Sequence, residues 1–246
     1  MTQNTQERDA IYQVSTLQAL VLGNFYGSAD MRTLKRHGDI GLGTFAAVAG
    51  ELIVVDGRCY RVLGNGRAVE AKPEEQTPFA SVAWLGEDAA EIHLGAVSSI
   101  EALKKELDAR VELLGLNYMY VGRIDGHFRR VDARTELPQQ EPYKPFAKVL
   151  ETDERRFTFA DLEGTLVCFY FPSYLAGVNT PGWHLHFLSA DRTQGGHVFD
   201  LAMTAGTVRL GRYDRFTMDL PHNRAFRDAS LQQASQDEIA QIEQGK

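Results

Sequence analysis

Three of the seven histidines in this 246-residue sequence fall within fourteen positions, in the stretch GWHLHFLSADRTQGGHVFD at residues 182–200. Side chains on a β-strand alternate between faces, so His184 and His186 share one face while Trp183, Leu185 and Phe187 take the other. The apolar face gives the strand a reason to be buried. SADRTQGG (189–196) contains the turn residues needed to reverse the chain, and His197 opens the returning strand HVFDLAM. His197 can therefore face the other two rings across a hairpin. Three neutral imidazoles without a nearby thiolate suit zinc or another borderline divalent ion. A set of three leaves a coordination position for water or substrate, as in catalytic zinc sites. The competing reading is a set of hydrogen-bonded or surface histidines on an amphipathic strand, which His-x-His alone does not exclude. His37, His93, His127 and His222 have no spacing that makes a second site and read as solvent-facing or turn residues.

The elements that must carry these rings follow from pattern. AIYQVS (10–15) reads as a strand and TLQALVLGNF (16–25) as a short helix with Leu17, Leu20 and Val21 on one face. Residues 39–62 are rich in β-branched and small residues, and Asp56-Gly57 signals a hairpin. Asn65-Gly66 signals a second one; Gly64-x-Gly66 is not read as a phosphate loop, because no helix start follows it. FASVAWL (79–85) is another strand. Residues 98–115 form the best helix, with Ser98 and Glu101 at capping-box spacing and Ile100, Leu103, Leu107, Val111 and Leu114 on one face. YMYVGRIDGHFRRVDART (118–135) reads as strand, Asp-Gly turn, strand. ELPQQEPYKPF (136–146) holds three of the eight prolines and reads as an interdomain connection. Beyond it, RRFTFADL, GTLVCFYF, GWHLHFLSA, HVFDLAM and GTVRLGRY read as separate strands, and residues 235–244 as a terminal helix opened by Ser235 with Glu238 at capping-box spacing. The expected architecture is α/β (α+β) in two domains. Residues 1–137 form an N-terminal domain with a mixed β-sheet; residues 138–246 form a mostly antiparallel, β-rich domain with the metal site and a helical tail.

Composition bounds the function. At 43% hydrophobic and 24% charged, the chain has the make-up of a folded globular protein. A formal charge of −7 argues against nucleic acid as a partner, which calls for a clustered basic excess. Two cysteines, Cys59 and Cys168, are too few for a disulfide framework and fit a reducing compartment. The polar N-terminal residues carry no signal-peptide pattern, and LVCFYFPSYLAGV (166–178) is shorter than the about 20 apolar residues of a membrane span. A cytoplasmic protein with no membrane partner is expected.

Several segments together resemble the α-acetolactate decarboxylase family, over most of the chain. GWHLHF followed by R-x-x-GGHVFD is similar to its metal motif. LGTF with GEL, VDG and Tyr60 (42–60) is similar to its N-terminal signature. RT followed by PYKPF (134–146) and EGTLVCFYFPSY resemble its middle segments. The resemblance implies a two-domain α/β homodimer in the cytoplasm that makes acetoin, on the butanediol route. It implies Zn2+ on His184, His186 and His197, and Thr44, Glu51 and Arg134 as active-site residues. It also implies a carboxylate from the C-terminal tail, for which Glu243 is the best positional match, with Glu238 nearby.

The implied reaction is zinc-dependent decarboxylation of 2-acetolactate to acetoin and CO2 through an enediolate. A dication on three neutral ligands keeps its full charge and stabilises the developing negative charge as a Lewis acid. Arg134 offers a planar fork of donors to the substrate carboxylate, although the sequence by itself favours a surface ion pair with Asp132 on the same strand face. Glu51, between Gly50 and the apolar LIVV, is placed for burial that would raise its pKa toward proton transfer. With Glu243 it would protonate one face and give a single enantiomer. Two alternatives stand beside this. A cupin-like metal enzyme acting on a small keto or hydroxy acid needs a nearby metal-binding glutamate, where the sequence offers only Asp191. A non-enzymatic protein with a structural zinc site would unfold on chelation.

Overall fold

Turn chemistry and strand pairing arrange the chain as two sheets. The computed structural model describes residues 9–86 and 89–231. The first half contains β1 (Ala10–Val14), α1 (Leu17–Val21), β2 (Ala29–Asp30), α2 (Met31–His37), β3 (Ile40–Thr44), β4 (Glu51–Val55), β5 (Arg58–Val62), β6 (Ala68–Glu70), β7 (Gln76–Thr77) and β8 (Phe79–Ala83). There follow β9 (Ala90–Leu94), α3 (Ile100–Leu114), β10 (Met119–Glu136), α4 (Phe146–Asp153), β11 (Glu154–Phe171), β12 (Gly182–Ser189), β13 (Gly195–Tyr213), β14 (Arg215–Asp219) and α5 (Arg224–Asp228). The proposed helix at 235–244 lies outside the described residues.

The first sheet has seven strands in the order β14-β1-β8-β3-β4-β5-β6 and is mixed, because β1 and β14 run parallel. Asp56 and Gly57, with φ of 55° and 69°, make the tight β4–β5 turn that the Asp-Gly pair predicts. The second sheet is antiparallel, in the order β10-β11-β12-β13-β9, and β10 also pairs with β13. It therefore closes on itself. The mixed α and β content and the antiparallel second sheet match expectation. Both sheets straddle residue 137, the expected interdomain boundary: β9 and β10 precede it in the second sheet, and β14 follows it in the first.

Three local expectations are corrected. Residues 119–136 are one strand, not a hairpin about Asp125-Gly126. Gly126 faces Gly164 on β11 and Gly206 on β13, and a Cβ there would stand 2.6 Å from the Ala205 carbonyl oxygen. This glycine serves close approach and makes no turn. Likewise 154–171 and 195–213 are single long strands where two pairs were expected. In α3 the cap is Ser99, whose hydroxyl accepts from Ala102 N, and Leu114 faces outward.

Ile100, Leu103, Leu107 and Val111 bury the α3 stripe against the second sheet, among Tyr120, Phe128, Trp183, Leu185 and Phe187. Another core, with Leu42, Ile53, Val62, Val167, Phe169 and Leu188, lies between the sheets. The odd-numbered face of β12 thus packs under α3, as the alternation predicted. The histidine face looks toward the first sheet. No helix among the described residues is long and apolar enough to cross a membrane.

Candidate metal centre

The β12–β13 hairpin brings the three rings together, because register sets His186 directly opposite His197. His184 Nε2 lies 3.1 Å from His186 Nε2 and 3.0 Å from His197 Nδ1. One ligand atom from each ring falls within 4.8 Å of the others, and this is the only such histidine, cysteine or carboxylate group among the described residues. All three rings are buried. His186 Nδ1 is 2.9 Å from the Leu52 carbonyl oxygen, which can only accept, so Nδ1 carries the proton and Nε2 keeps its lone pair for the cluster. That contact ties the second sheet to β4 of the first.

The Gly195-Gly196 pair is what admits the returning strand. A Cβ on Gly195 would stand 2.5 Å from the Phe187 carbonyl oxygen, and one on Gly196 2.8 Å from that of Arg134. Any side chain at either position would push β13, and His197 with it, off its neighbours.

Burial strips solvent from the imidazolium form. It holds the His184 pKa down to about 3, with the Arg134 and Lys104 charges adding to the effect. His186 also lies well below the usual histidine range, through burial first and the His184 ring second. Both rings are neutral at pH 7, the state a metal ligand requires.

Thr44 and Glu51 enter from the first sheet as a cross-strand pair closing the β3–β4 hairpin. The hairpin loop is tight. Gly50 has φ of 101°, with no room for a Cβ, which would stand 2.1 Å from the Val62 carbonyl oxygen. Val48 also has positive φ, 43°, a strained conformation for a β-branched residue, held by full burial. Thr44 Oγ1 donates to the Gly50 carbonyl at 3.0 Å and closes the loop. Glu51 is buried, and its Oε2 lies 3.6 Å from His186 Nε2. Thr135 Oγ1 accepts from Glu51 N at 3.1 Å and donates to the Val62 carbonyl at 3.2 Å, which locks β4 against β10.

Arg134 on β10 stands opposite His197 and is only 2% exposed. It does not form a surface pair with Asp132. Asp132 takes Arg130 and Thr158 instead, while Arg134 Nη1 donates to Glu154 Oε2 at 3.0 Å. A cavity of about 30 Å³ joins Thr44, Glu51, Arg134, His184 and His197, with Leu20, Phe79 and Phe146 as its apolar wall.

The structure therefore gathers six of the seven expected site residues, the three histidines with Thr44, Glu51 and Arg134. Glu243 and its neighbour Glu238 lie outside the described residues. Asp191 accepts from Ser189, Thr193 and the Thr193 amide within its own turn and takes no part in the cluster, which removes the cupin-like ligand. His37 stacks on Tyr12, and His93 and His127 bond Thr207 and Thr204. Sequence reasoning missed Glu154, Thr135 and the apolar wall. Each becomes visible only through strand register or through contacts between distant segments.

Comparison with known proteins bears on the assignment. The family model for alpha-acetolactate decarboxylase matches residues 11–233. The alpha-acetolactate decarboxylase of Methanosarcina mazei is 38% identical over 235 residues, covering 96% of this chain and 80% of that protein. That of Brevibacillus brevis is 33% identical, covering 98% and 83%. The crystal structure of the Bacillus subtilis alpha-acetolactate decarboxylase superposes with a TM-score of 0.90 at 34% identity, covering 95% of this chain and 99% of that one. A Staphylococcus aureus protein of unknown function, described as similar to alpha-acetolactate decarboxylase, gives 0.87 at 26% identity over 96% and 99%. With the match running through both sheets and the histidine hairpin, the chain belongs to the alpha-acetolactate decarboxylase family.

Proposed function

We propose that this protein is a zinc-dependent carboxy-lyase that converts 2-acetolactate to acetoin and CO2. The observation that carries the reading is the convergence of three buried imidazoles, two of which, His184 and His197, line a cavity shared with a buried arginine and glutamate. The donor set fits a borderline dication. Nitrogens bound tetrahedrally at about 2.0–2.1 Å stand roughly 3.3 Å apart, close to the 3.1 and 3.0 Å that separate His184 Nε2 from His186 Nε2 and His197 Nδ1. A dication held by His184, His186 and His197 supplies Lewis-acid stabilisation of negative charge on the oxygens of a bound keto acid.

The chain's own residues do the rest. Arg134 binds the substrate carboxylate through its guanidinium, beside the imidazoles and away from water. Leu20, Phe79 and Phe146 receive the substrate's alkyl groups and exclude water. Glu51 holds the proton delivered to the carbon that has lost CO2. Glu243 completes that work from the tail. Thr44 pins the hairpin loop that carries Glu51. Delivery from one side gives one enantiomer. The same reading includes a homodimer, a role in acetoin formation on the butanediol route, and a cytoplasmic location, which the two buried free thiols support.

The test is CO2 release from acetolactate combined with metal analysis of the purified protein. Glu51→Gln retains zinc and loses turnover by about 100-fold or more, the scale of general acid–base catalysis. Unchanged turnover with zinc bound removes Glu51 from the mechanism. His186→Ala loses both metal and activity, and a fully active, metal-free variant ends the proposal.

A further inference from the structure

Arg134 belongs to a square of charges. The β10–β11 register sets Arg134 opposite Arg156 and Glu136 opposite Glu154. On each strand the two charges are two residues apart and share a face. Like charges therefore meet straight across, while unlike charges meet along the strands and on the diagonals, where long side chains still reach one another. Glu154 is the corner that grips both arginines: Oε2 accepts from Arg134 Nη1 at 3.0 Å, and Oε1 from Arg156 Nε. Side-chain exposure rises from 2% at Arg134 through 11% at Glu154 to 51% at Arg156. Glu154 thus connects a guanidinium inside the protein to one at its surface.

A buried guanidinium needs a counter-charge, and a partner on one nitrogen fixes the plane of its fork. Arg134 also lines the cavity beside His184 and His197. We propose that Glu154 is a positioning residue for the decarboxylation: it holds the Arg134 fork in the orientation that receives the substrate carboxylate. This rests on the reading of Arg134 as the carboxylate holder, so the experiment tests both residues.

The probes are 2-hydroxyisobutyrate, which has no ketone and keeps its carboxylate, and its neutral amide. Each is titrated calorimetrically into the zinc-loaded protein. Arg134→Gln weakens the acid and leaves the amide; acid affinity equal to wild type defeats the Arg134 reading and the proposal with it. Glu154→Gln keeps the volume and an acceptor oxygen but drops the charge. It weakens the acid about tenfold and leaves the amide within about twofold, the effect of misaligning one charge-assisted hydrogen bond. KM for acetolactate rises by a similar factor, with kcat within about threefold. If Arg134→Gln is impaired while Glu154→Gln binds the acid normally, positioning by Glu154 is overturned. It is also overturned if acid and amide weaken alike, since that marks a general loosening of the site. Should Glu154→Gln not fold, Arg156→Gln at the exposed corner decides: a loss of about two- to threefold for the acid alone supports the proposal, and no change refutes it.

Discussion

Removing the proposed zinc ion should leave a folded, inactive protein. The apolar clusters under α3 and between the sheets contain none of the three histidines. The imidazoles are also presented by paired strands and by the Leu52 carbonyl, so their positions do not depend on an ion. The cost of removal is then the lost linkage energy alone. Free zinc at 100 times its Kd stabilises the native state by about 2.7 kcal/mol. For a chain of this length each kcal/mol shifts Tm by about 2–4 °C, so chelation should lower Tm by roughly 5–11 °C. The assay is calorimetry and far-UV circular dichroism on metal-free and reloaded protein, with CO2 release measured alongside. Activity is lost on chelation and returns with zinc, and the cooperative transition persists throughout. Loss of that transition in the metal-free protein would refute the reasoning and favour a structural zinc site.

Thr135→Val keeps the shape but takes the hydroxyl from two buried groups, Glu51 N–H and the Val62 carbonyl. It should cost about 2 kcal/mol in denaturant unfolding and reduce kcat with zinc content unchanged. Asp200 on β13 accepts from Ile100 N at 3.0 Å at the start of α3 and pairs with Arg130, so Asp200→Ala should cost about 1–2 kcal/mol, read by the same unfolding assay. Burial works to raise the Asp200 pKa, but the Ile100 and Leu201 amides and Arg130 outweigh it and hold the group below its usual value. The unfolded chain then binds the proton more tightly. This stabilisation is complete above about pH 3.9 and is lost as pH falls through the lower folded value, so the penalty of Asp200→Ala should shrink in acid.

Much of the site was legible because period-two alternation is a local rule. Once GWHLHF is a strand, His184 and His186 must share a face, and a turn of the right chemistry brings His197 back. Asp56-Gly57 was legible for the same reason. Asp125-Gly126 was not, although the dipeptide is identical. The first pair has positive φ at both residues, whereas Gly126 sits inside a long strand where three backbones crowd. Only the partners Gly164 and Gly206 distinguish the two cases, and they lie far away in sequence. The same limit hid the Arg134–Glu154 pair, set by β10–β11 register across twenty residues. Asp132, two residues away on the same face, was the local candidate and finds Arg130 instead. The capping shift from Ser98 to Ser99 is a local competition that spacing alone does not decide, since either hydroxyl can open the helix.

The two sheets divide the proposed work. All three candidate metal ligands and Arg134 stand on the second sheet, where pairing on several sides fixes them: His197 is paired at once with His186 on β12 and with Arg134 on β10. Thr44 and Glu51 stand on the first sheet, at the end of a strained hairpin. Charge stabilisation needs donors that do not reorganise as the reaction proceeds, and a sheet closed on itself supplies that rigidity. Proton delivery needs one carboxylate at one distance from that rigid set. The His186–Leu52 and Thr135–Glu51 hydrogen bonds are the two staples that set it, and they flank Glu51 on β4. Loosening the Thr135–Glu51 staple should therefore affect the proton step before the metal site, because it holds Glu51 across the gap and touches none of the three histidines.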